Sequence, residues 1–276
     1  MISSLLRIRL AEAVLVVLVA LLMLGQAEAG SRQYEASASK FEMAELLAFS
    51  KKVENAAAKK GARVFILARQ GRPASELPKG ITYTHVAIAV YSSIRTGDGR
   101  TVPGYAIYNL YQDENDQGRS HLVVDYPVDY FAGAYTLKTS IIIPTVAMQK
   151  RLLKIIASGA YKNLHNPNYS VLANPGDLKY QNCTEFVLDV IQAAIYNTVD
   201  KEVIKANTRA YFTAQDINIS PLKLLFGSMF VPDVKLGDQG EQIITATFTT
   251  IEAYMQKYGL TKEIITLKVD PARLDI

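Results

Sequence analysis

The fold is decided by the stretch Tyr180-Gln181-Asn182-Cys183-Thr184-Glu185-Phe186-Val187-Leu188, which holds the only cysteine of the chain. Asn182 is a good helix N-cap and Glu185 follows three residues later, so the pair predicts a capping box with Cys183 as the first helical residue. The segment that follows is apolar except for a narrow stripe of Glu185, Asp189 and Gln192. Such a helix is typical of the centre of a domain, so we expect the other elements to pack around it.

The position of Cys183 at a helix entrance gives its thiol a distinct electrostatic setting. Unpaired backbone N–H groups and the helix dipole favour an anion there, which lowers the pKa of a thiol and lets the Cys183 backbone N–H hold an oxyanion. A free cysteine on a core helix is also a common packing residue that behaves as a small hydrophobe. A reactive thiol and a buried packing residue are therefore both open from this stretch alone.

Residues 1–29 have the layout of a secretory signal peptide. Two arginines precede an apolar run from Ala13 to Leu24, and Ala27-Glu28-Ala29 provides a small-residue cleavage pattern before Gly30. We expect a periplasmic or secreted protein that starts near Gly30 and is not inserted in a membrane after cleavage. An exported chain with one cysteine has no partner for an intrachain disulfide, which leaves an intermolecular bridge, a buried residue or a working thiol.

The length after cleavage, residues 30–276, fits a single α+β domain, in which the chain from about residue 200 is a less legible C-terminal extension. The formal net charge is only +4 and there is no run of Lys or Arg, so we do not expect a nucleic-acid partner. No His-Glu-x-x-His motif is present, and one thiol cannot make a zinc-thiolate cluster. We therefore expect neither a metal nor a cofactor.

The segment from Thr82 to Tyr91 alternates as a strand, and the segment from Tyr105 to Tyr111 returns beside it as a hairpin. One face of the first strand carries Val86, Ile88 and Val90, and the other carries His85, Ala87, Ala89 and Tyr91. We expect an antiparallel sheet containing this hairpin to pack on the cysteine helix. Hydrophobic spacing also predicts helices at 41–61, 146–160 and 251–258, a helical turn at 127–134, and strands at 64–68, 122–125, 137–143, 243–248 and 264–269.

A nucleophilic cysteine needs a base, usually histidine, and the histidine needs a polar group that fixes its tautomer. His85 is the candidate base because it is embedded in an apolar strand, whereas His121 and His165 lie among polar residues typical of a surface. Asn109 is the first candidate for the third group and Gln112 is the alternative, since the uncertain turn length leaves both open. His85 would otherwise be a core histidine hydrogen-bonded to the backbone.

The order of these parts resembles the circularly permuted branch of the NlpC-type papain-like hydrolases. Thr84-His85-Val86-Ala87-Ile88 comes first and Asn182-Cys183-Thr184-Glu185-Phe186-Val187 comes later, the reverse of standard papain-like chains. The resemblance covers roughly residues 82–197 and implies a papain-like fold and peptidase, amidase or acyl transferase activity. It departs at the third position, where relatives commonly have a carboxylate or histidine and this chain has the neutral Asn109.

The wider chain also looks like an uncharacterised family of exported bacterial proteins, through Tyr105 to Gln112, Asp125 to Phe131 and Gln181 to Leu188. Two hypotheses follow. The first is an exported cysteine hydrolase, with Cys183 as nucleophile, His85 as base and a peptide, peptidoglycan or acyl substrate. The second is a non-catalytic binding or envelope-assembly protein, in which Cys183 only packs.

Overall fold

The computed structural model describes residues 39–218 and 233–269, so the predicted signal peptide at 1–29 lies outside the described residues. The described chain is an α+β structure with a mainly antiparallel sheet, as predicted. Its elements are α1 (Met43–Lys59), β1 (Val64–Arg69), β2 (His85–Arg95), β3 (Thr101–Gln112), β4 (Ser120–Asp125), α2 (Pro127–Ala132), β5 (Lys138–Pro144), α3 (Val146–Ala157), α4 (Cys183–Tyr196), α5 (Lys201–Tyr211), β6 (Gln215–Asp216), β7 (Ile244–Thr245), α6 (Phe248–Lys257) and β8 (Thr261–Lys268), with 3₁₀ turns at Ala74–Glu76 and Ala160–Leu164.

Six strands form one sheet in the order β4-β3-β2-β1-β5-β8, and each neighbouring pair is antiparallel. The predicted hairpin is confirmed: β2 and β3 pair from Arg95↔Thr101, and the turn between them contains Gly99 with a φ of 83°. A positive φ of this kind favours glycine, so the Gly-Asp-Gly sequence of the turn sets where the hairpin reverses.

The alternation seen in β2 divides the interior into two cores, one on each face of the sheet. Cysteine helix α4 packs with α3 and α6 on the face of Val86, together with Val64, Ile66, Ile88, Leu110, Ile142, Leu152, Phe186, Val187, Ile191, Ile251 and Met255. Helices α1 and α2 cover the shallow face of Ala87 and Ala89, together with Leu46, Phe49, Val53, Phe65, Leu67, Tyr105, Ile107, Phe131 and Ile141. Each fully buried aliphatic side chain contributes about 1.5–3 kcal/mol, so both layers hold the sheet in place.

Helix α4 is buried along almost its whole length, as its composition predicts. The oxygen Oδ1 of Asn182 accepts hydrogen bonds from the backbone N–H groups of Thr184 (3.0 Å) and Glu185 (2.9 Å), which confirms Asn182 as the N-cap. The predicted capping box is wrong in its second half, because the Glu185 carboxylate turns to Lys205 of α5 at 2.6 Å. A carboxylate that is fully buried is strongly destabilising without a charged partner, and Lys205 supplies one.

The described residues after 200 pack with the rest of the structure. Strand β8 pairs with β5 at the edge of the main sheet, and α6 contributes Phe248 and Ile251 to the α4 core. The prediction missed helix α5 and overestimated the strand near residue 245, of which only Ile244–Thr245 remains. No helix among the described residues is long and apolar enough to cross a membrane.

Candidate active site

The thiol of Cys183 lies where strands β2 and β3 separate. The paired register of the two strands ends at Ile88↔Tyr108, although β2 begins at His85 and β3 continues to Gln112. The Sγ atom of Cys183 lies 3.8 Å from the carbonyl oxygen of Thr84. The Val86 backbone also forms a hydrogen bond with the thiol. Because Thr84 and Val86 flank His85 in the chain, the start of α4 brings the thiol against the backbone on either side of the candidate base.

The side chain of Asn109 fixes the ring of His85. Nε2 of His85 and Oδ1 of Asn109 are 3.0 Å apart. The amide group Nδ2 of Asn109 donates to the carbonyl oxygen of Ile107 at 3.1 Å and to Oδ1 of Asp125 at 2.6 Å. Two acceptors on one side require the NH₂ group there, so the Asn109 oxygen faces the ring and the proton of His85 lies on Nε2.

The other ring nitrogen of His85 is therefore the one that carries a lone pair. Nδ1 is buried and has no hydrogen-bond partner among the described residues. The alternative orienting residue, Gln112, does not contact His85: its Nε2 donates to the carbonyl oxygen of Gln117 at 2.9 Å and to the Asp233 carboxylate at 3.2 Å. Of the two candidates from the sequence, the structure brings Asn109 to His85.

Two tyrosines hold His85 from its sides. The imidazole stacks on the ring of Tyr111, with centroids 4.8 Å apart and planes inclined by 10°. The hydroxyl of Tyr130, from α2, donates to the backbone carbonyl of His85 at 3.1 Å. The Tyr111 hydroxyl in turn donates to Oδ2 of Asp125 at 2.9 Å. The ring and backbone of His85 are thus held by side chains from two elements, β3 and α2.

A buried arginine brings positive charge to this cluster. Arg69, at the end of β1, pairs in register with His85 and is almost fully buried. Its guanidinium donates to the backbone carbonyl of Tyr130 and lies 5.0 Å from the centroid of the Tyr130 ring and 5.8 Å from that of Tyr111. Its charge acts on both His85 and Asp125.

Burial decides the charge state of the Cys183–His85 pair. It raises the pKa of the Cys183 thiol, against the smaller lowering effects of the Val86 backbone, Thr184 and Arg69. Burial also holds the pKa of His85 well below its usual range, and the Arg69 charge lowers it further while the Asn109 hydrogen bond opposes both. The thiol and the imidazole are therefore both neutral at rest, and no hydrogen bond joins Sγ to Nδ1 of His85. The expectation of a depressed thiol pKa is wrong in direction, because desolvation outweighs the favourable helix terminus.

Cys183 lines a cavity of about 210 Å³, whereas His85 is fully buried and is not among the lining residues. The cavity wall combines Arg72 and Glu76 with hydroxyl and amide groups and a majority of apolar side chains. The apolar part consists of Leu77, Pro78, Ile81, Tyr83, Tyr169, Val171, Leu172, Val234 and Ala246. A ligand in this cavity would contact the thiol and a wall that is mostly apolar.

The two other histidines lie near the start of β4, at the end away from Asp125. Nδ1 of His121 lies 3.8 Å from the Asp113 carboxylate, and Nε2 of His165 lies 3.1 Å from the hydroxyl of Ser120. Both histidines are partly exposed, which agrees with the surface positions predicted for them. Among the described residues, no group of three or more His, Cys, Asp or Glu could hold a metal ion.

The sequence prediction missed Asp125, Arg69, Tyr111 and Tyr130. The strand pattern contains part of the signal, since odd-numbered residues of β2 and β3 share one face of the sheet. Tyr111 lies two residues after Asn109 and could have been placed on that face. Asp125 and Arg69 required the register of β3 with β4 and of β1 with β2, which pattern alone does not supply.

The described site falls within the family pattern that matches residues 56–255, described as "Uncharacterized protein conserved in bacteria (DUF2145)". The match spans well over half of the chain, so the protein belongs to this family. It includes Cys183, His85, Asn109 and Asp125. Neither a curated protein nor a solved structure matches the chain.

Proposed function

We propose that the protein is a papain-like cysteine hydrolase of the permuted NlpC type, in which Cys183 is the nucleophile and His85 the base. The observation that carries the proposal is the unpartnered Nδ1 of His85 beside the backbone that the thiol contacts. A buried acceptor without a partner costs about 1–3 kcal/mol, and a catalytic role is one reason for which a protein keeps such a group. Here the reason is that Nδ1 receives the thiol proton.

The proposed reaction starts from the neutral pair. As Sγ bonds to the carbonyl carbon of an ester or amide, the thiol proton passes to Nδ1 of His85, and the carbonyl π electrons move to its oxygen. When the tetrahedral intermediate collapses, the bond to the leaving group breaks and the leaving group takes the proton from Nδ1. Water then attacks the thioester while His85 accepts its proton, and the acid product leaves as the proton returns to Sγ.

The Cys183 backbone N–H is the proposed donor to the oxyanion. The first N–H groups of a helix have no partner within the helix, and the Asn182 side chain occupies those of Thr184 and Glu185. The N–H of Cys183 itself then remains at the helix entrance beside Sγ. A preorganised donor in a water-poor site is worth more than in bulk water, typically about 10²–10³ in rate.

The cavity favours one of the three substrate classes that the sequence left open. A peptidoglycan stem peptide carries several charges, whereas most of the wall beside Cys183 is apolar. We therefore propose an ester, thioester or amide whose acyl part is apolar, either an alkyl chain or an apolar side chain.

Residues 1–29 support a periplasmic or secreted location, which intact-mass measurement tests: a chain beginning at Gly30 is expected in the periplasmic fraction.

A second candidate function is a non-catalytic envelope protein, which the burial of the thiol favours. Cys183 is only 4% exposed, and its raised pKa makes it a weak nucleophile at rest. In that case the cysteine packs at the entrance of α4 and the cavity binds a ligand without converting it.

Alkylation of the folded protein by iodoacetamide separates the two functions. For the hydrolase, we expect labelling at pH 7 that Cys183→Ala abolishes and that His85→Ala slows by about tenfold or more, because the imidazole no longer accepts the thiol proton. His121→Ala and His165→Ala are the matched controls and should leave the rate unchanged. Labelling that requires unfolding, or that is indifferent to His85, supports the binding protein instead.

A further inference from the structure

The residue that orients His85 is the neutral Asn109, and a carboxylate, that of Asp125, is hydrogen-bonded to Asn109. Asn109 is neutral, but its Nδ2 donates to Oδ1 of Asp125 at 2.6 Å while its Oδ1 faces Nε2 of His85 at 3.0 Å. A continuous path therefore runs from the carboxylate through the amide to the imidazole. A negative charge at one end polarises the amide and strengthens the hydrogen bond at the other.

We infer that Asp125 is a positioning residue: through Asn109 it keeps the His85 proton on Nε2 and, when ionised, stabilises the imidazolium that forms as Cys183 reacts. This inference rests on the proposed cysteine hydrolase function. It adds a regulatory property to the site, since the reactivity of the thiol then depends on whether a carboxyl group that touches neither Sγ nor the imidazole carries its charge.

Strand register explains why Asp125 reaches Asn109. Val123 of β4 pairs with Asn109, and Asp125 pairs with Ile107, so Asp125 is the diagonal neighbour of Asn109 on the same face of the sheet. The two carboxylate oxygens divide the work. Oδ1 accepts a hydrogen bond from Asn109, and Oδ2 accepts one from the Tyr111 hydroxyl at 2.9 Å. These two hydrogen bonds hold the carboxylate in the orientation that faces Asn109.

The charged groups around Asp125 come from each element packed against it. Arg69 of β1 favours the ionised carboxylate, as does the Tyr111 hydroxyl of β3, whereas Asp129 of α2 opposes it. The Tyr130 ring of α2 lies in the same cluster. Burial exceeds these effects and raises the pKa of Asp125 to about 7. The carboxyl group is therefore neutral below pH 7 and ionised above it.

This arrangement predicts a specific pH profile for alkylation by iodoacetamide. Between the low pKa of His85 and the raised pKa of Cys183, the pair shares one proton, so the fraction of thiolate paired with imidazolium does not change with pH. The alkylation rate should then form a plateau. Ionisation of Asp125 adds a step to that plateau near pH 7, with the higher rate on the alkaline side.

The test is to measure this profile for the full chain and three variants. We expect a step of about tenfold in the wild type, equivalent to one unit in the pKa of His85. Asp125→Asn, which keeps the shape of the side chain, should give a flat profile at the lower rate. Tyr111→Phe keeps the ring stacked on His85 but removes a hydrogen bond to the carboxylate, so the midpoint should rise, whereas Asp129→Asn removes a like charge and should lower it.

A wild-type plateau without a step, or a step that persists in Asp125→Asn, would overturn the inference. If circular dichroism shows that Asp125→Asn is unfolded, the opposite midpoint shifts of Tyr111→Phe and Asp129→Asn still decide, and midpoints that do not move would also overturn it. His85→Ala distinguishes this failure from failure of the proposed function. A rate that depends on His85 but not on Asp125 leaves the hydrolase intact and removes only Asp125 from it.

Discussion

Asn109 and His85 are joined across the gap between β3 and β2 by a hydrogen bond of 3.0 Å between Oδ1 and Nε2. The strands no longer pair by backbone at this level, so side chains bridge the sheet where the start of α4 enters. The same separation exposes the backbone around His85 to the thiol of Cys183. The split in the sheet thus positions both members of the candidate pair.

Substitution of Asn109 tests whether the tautomer matters. Asn109→Ala should slow alkylation of Cys183 at pH 7 by about 10²-fold, because the proton of His85 is no longer held on Nε2 and Nδ1 is no longer reliably the acceptor. Nitrogen NMR of the His85 ring should show loss of the single Nε2–H tautomer. Gln112→Ala is the control, since Gln112 bonds to Gln117 and Asp233 instead. Equal losses from both substitutions would contradict an orienting role specific to Asn109.

The sequence predicted the two faces of β2 correctly because side chains alternate with a period of two wherever a strand is half-buried. It could not choose between Asn109 and Gln112, because that choice depends on the length of the β2–β3 turn. Once Arg95 pairs with Thr101, the register places Asn109 on the face of His85. The helix entrance at Cys183 was also predictable, since an N-cap is a local signal.

Other properties of the site were beyond the sequence because they depend on tertiary packing. The direction of the thiol pKa shift follows from how deeply Cys183 is buried, and capping chemistry gives no measure of burial. Arg69 and Asp125 end their strands, where a charged residue is normally expected in solvent. Here α2 covers both of them, so they become part of a buried network.

The apolar wall of the cavity predicts a preference among small esters. Ile81→Asp places a carboxylate in that wall, and the ratio of hydrolysis rates for p-nitrophenyl butyrate over acetate should fall by about tenfold, since apolar contacts of a few carbons are worth about 1–3 kcal/mol. Val203→Asp, at a 43% exposed position on α5, is the matched control and should leave the ratio unchanged. An unchanged ratio in Ile81→Asp would place the acyl group elsewhere.

The buried ion pairs between α4 and α5 predict a large effect on stability. Nζ of Lys205 lies 2.6 Å from the Glu185 carboxylate and 2.8 Å from that of Asp189. Lys205→Met leaves two buried carboxylates without their cation and should lower the free energy of unfolding at pH 8 by about 3–5 kcal/mol. The loss should be smaller at pH 5, where the carboxylates, whose pKa values burial raises, take up protons.

Two controls accompany that measurement by urea denaturation. Lys51→Met removes a surface pair with Glu54, in which the lysine side chain is 69% exposed, and should change stability by less than about 1 kcal/mol. Replacing Glu185, Asp189 and Lys205 together by apolar residues should restore much of the stability, because no buried charge is then left alone. A single Lys205→Met variant as stable as the wild type at pH 8 would show that the ion pairs are not needed for α4 to pack.

The last prediction concerns acid stability and His165. Burial lowers the pKa of His165 to about 4, and the nearby charges of Lys201 and Arg119 act in the same direction. The unfolded chain binds a proton at this histidine below about pH 6.5, whereas the folded chain does so only below about 4. The contribution of neutral His165 to stability is therefore complete above pH 6.5 and is lost as the pH falls towards 4.

Because the side chain of His165 is only half-buried, we expect a loss of about 1–2 kcal/mol in the free energy of unfolding. His165→Gln keeps a polar group near the Ser120 hydroxyl and removes the titration, so its stability relative to the wild type should improve by that amount between pH 8 and pH 4. Parallel stability curves for the two proteins over this range, measured by urea denaturation, would mean that His165 is not held neutral by the fold.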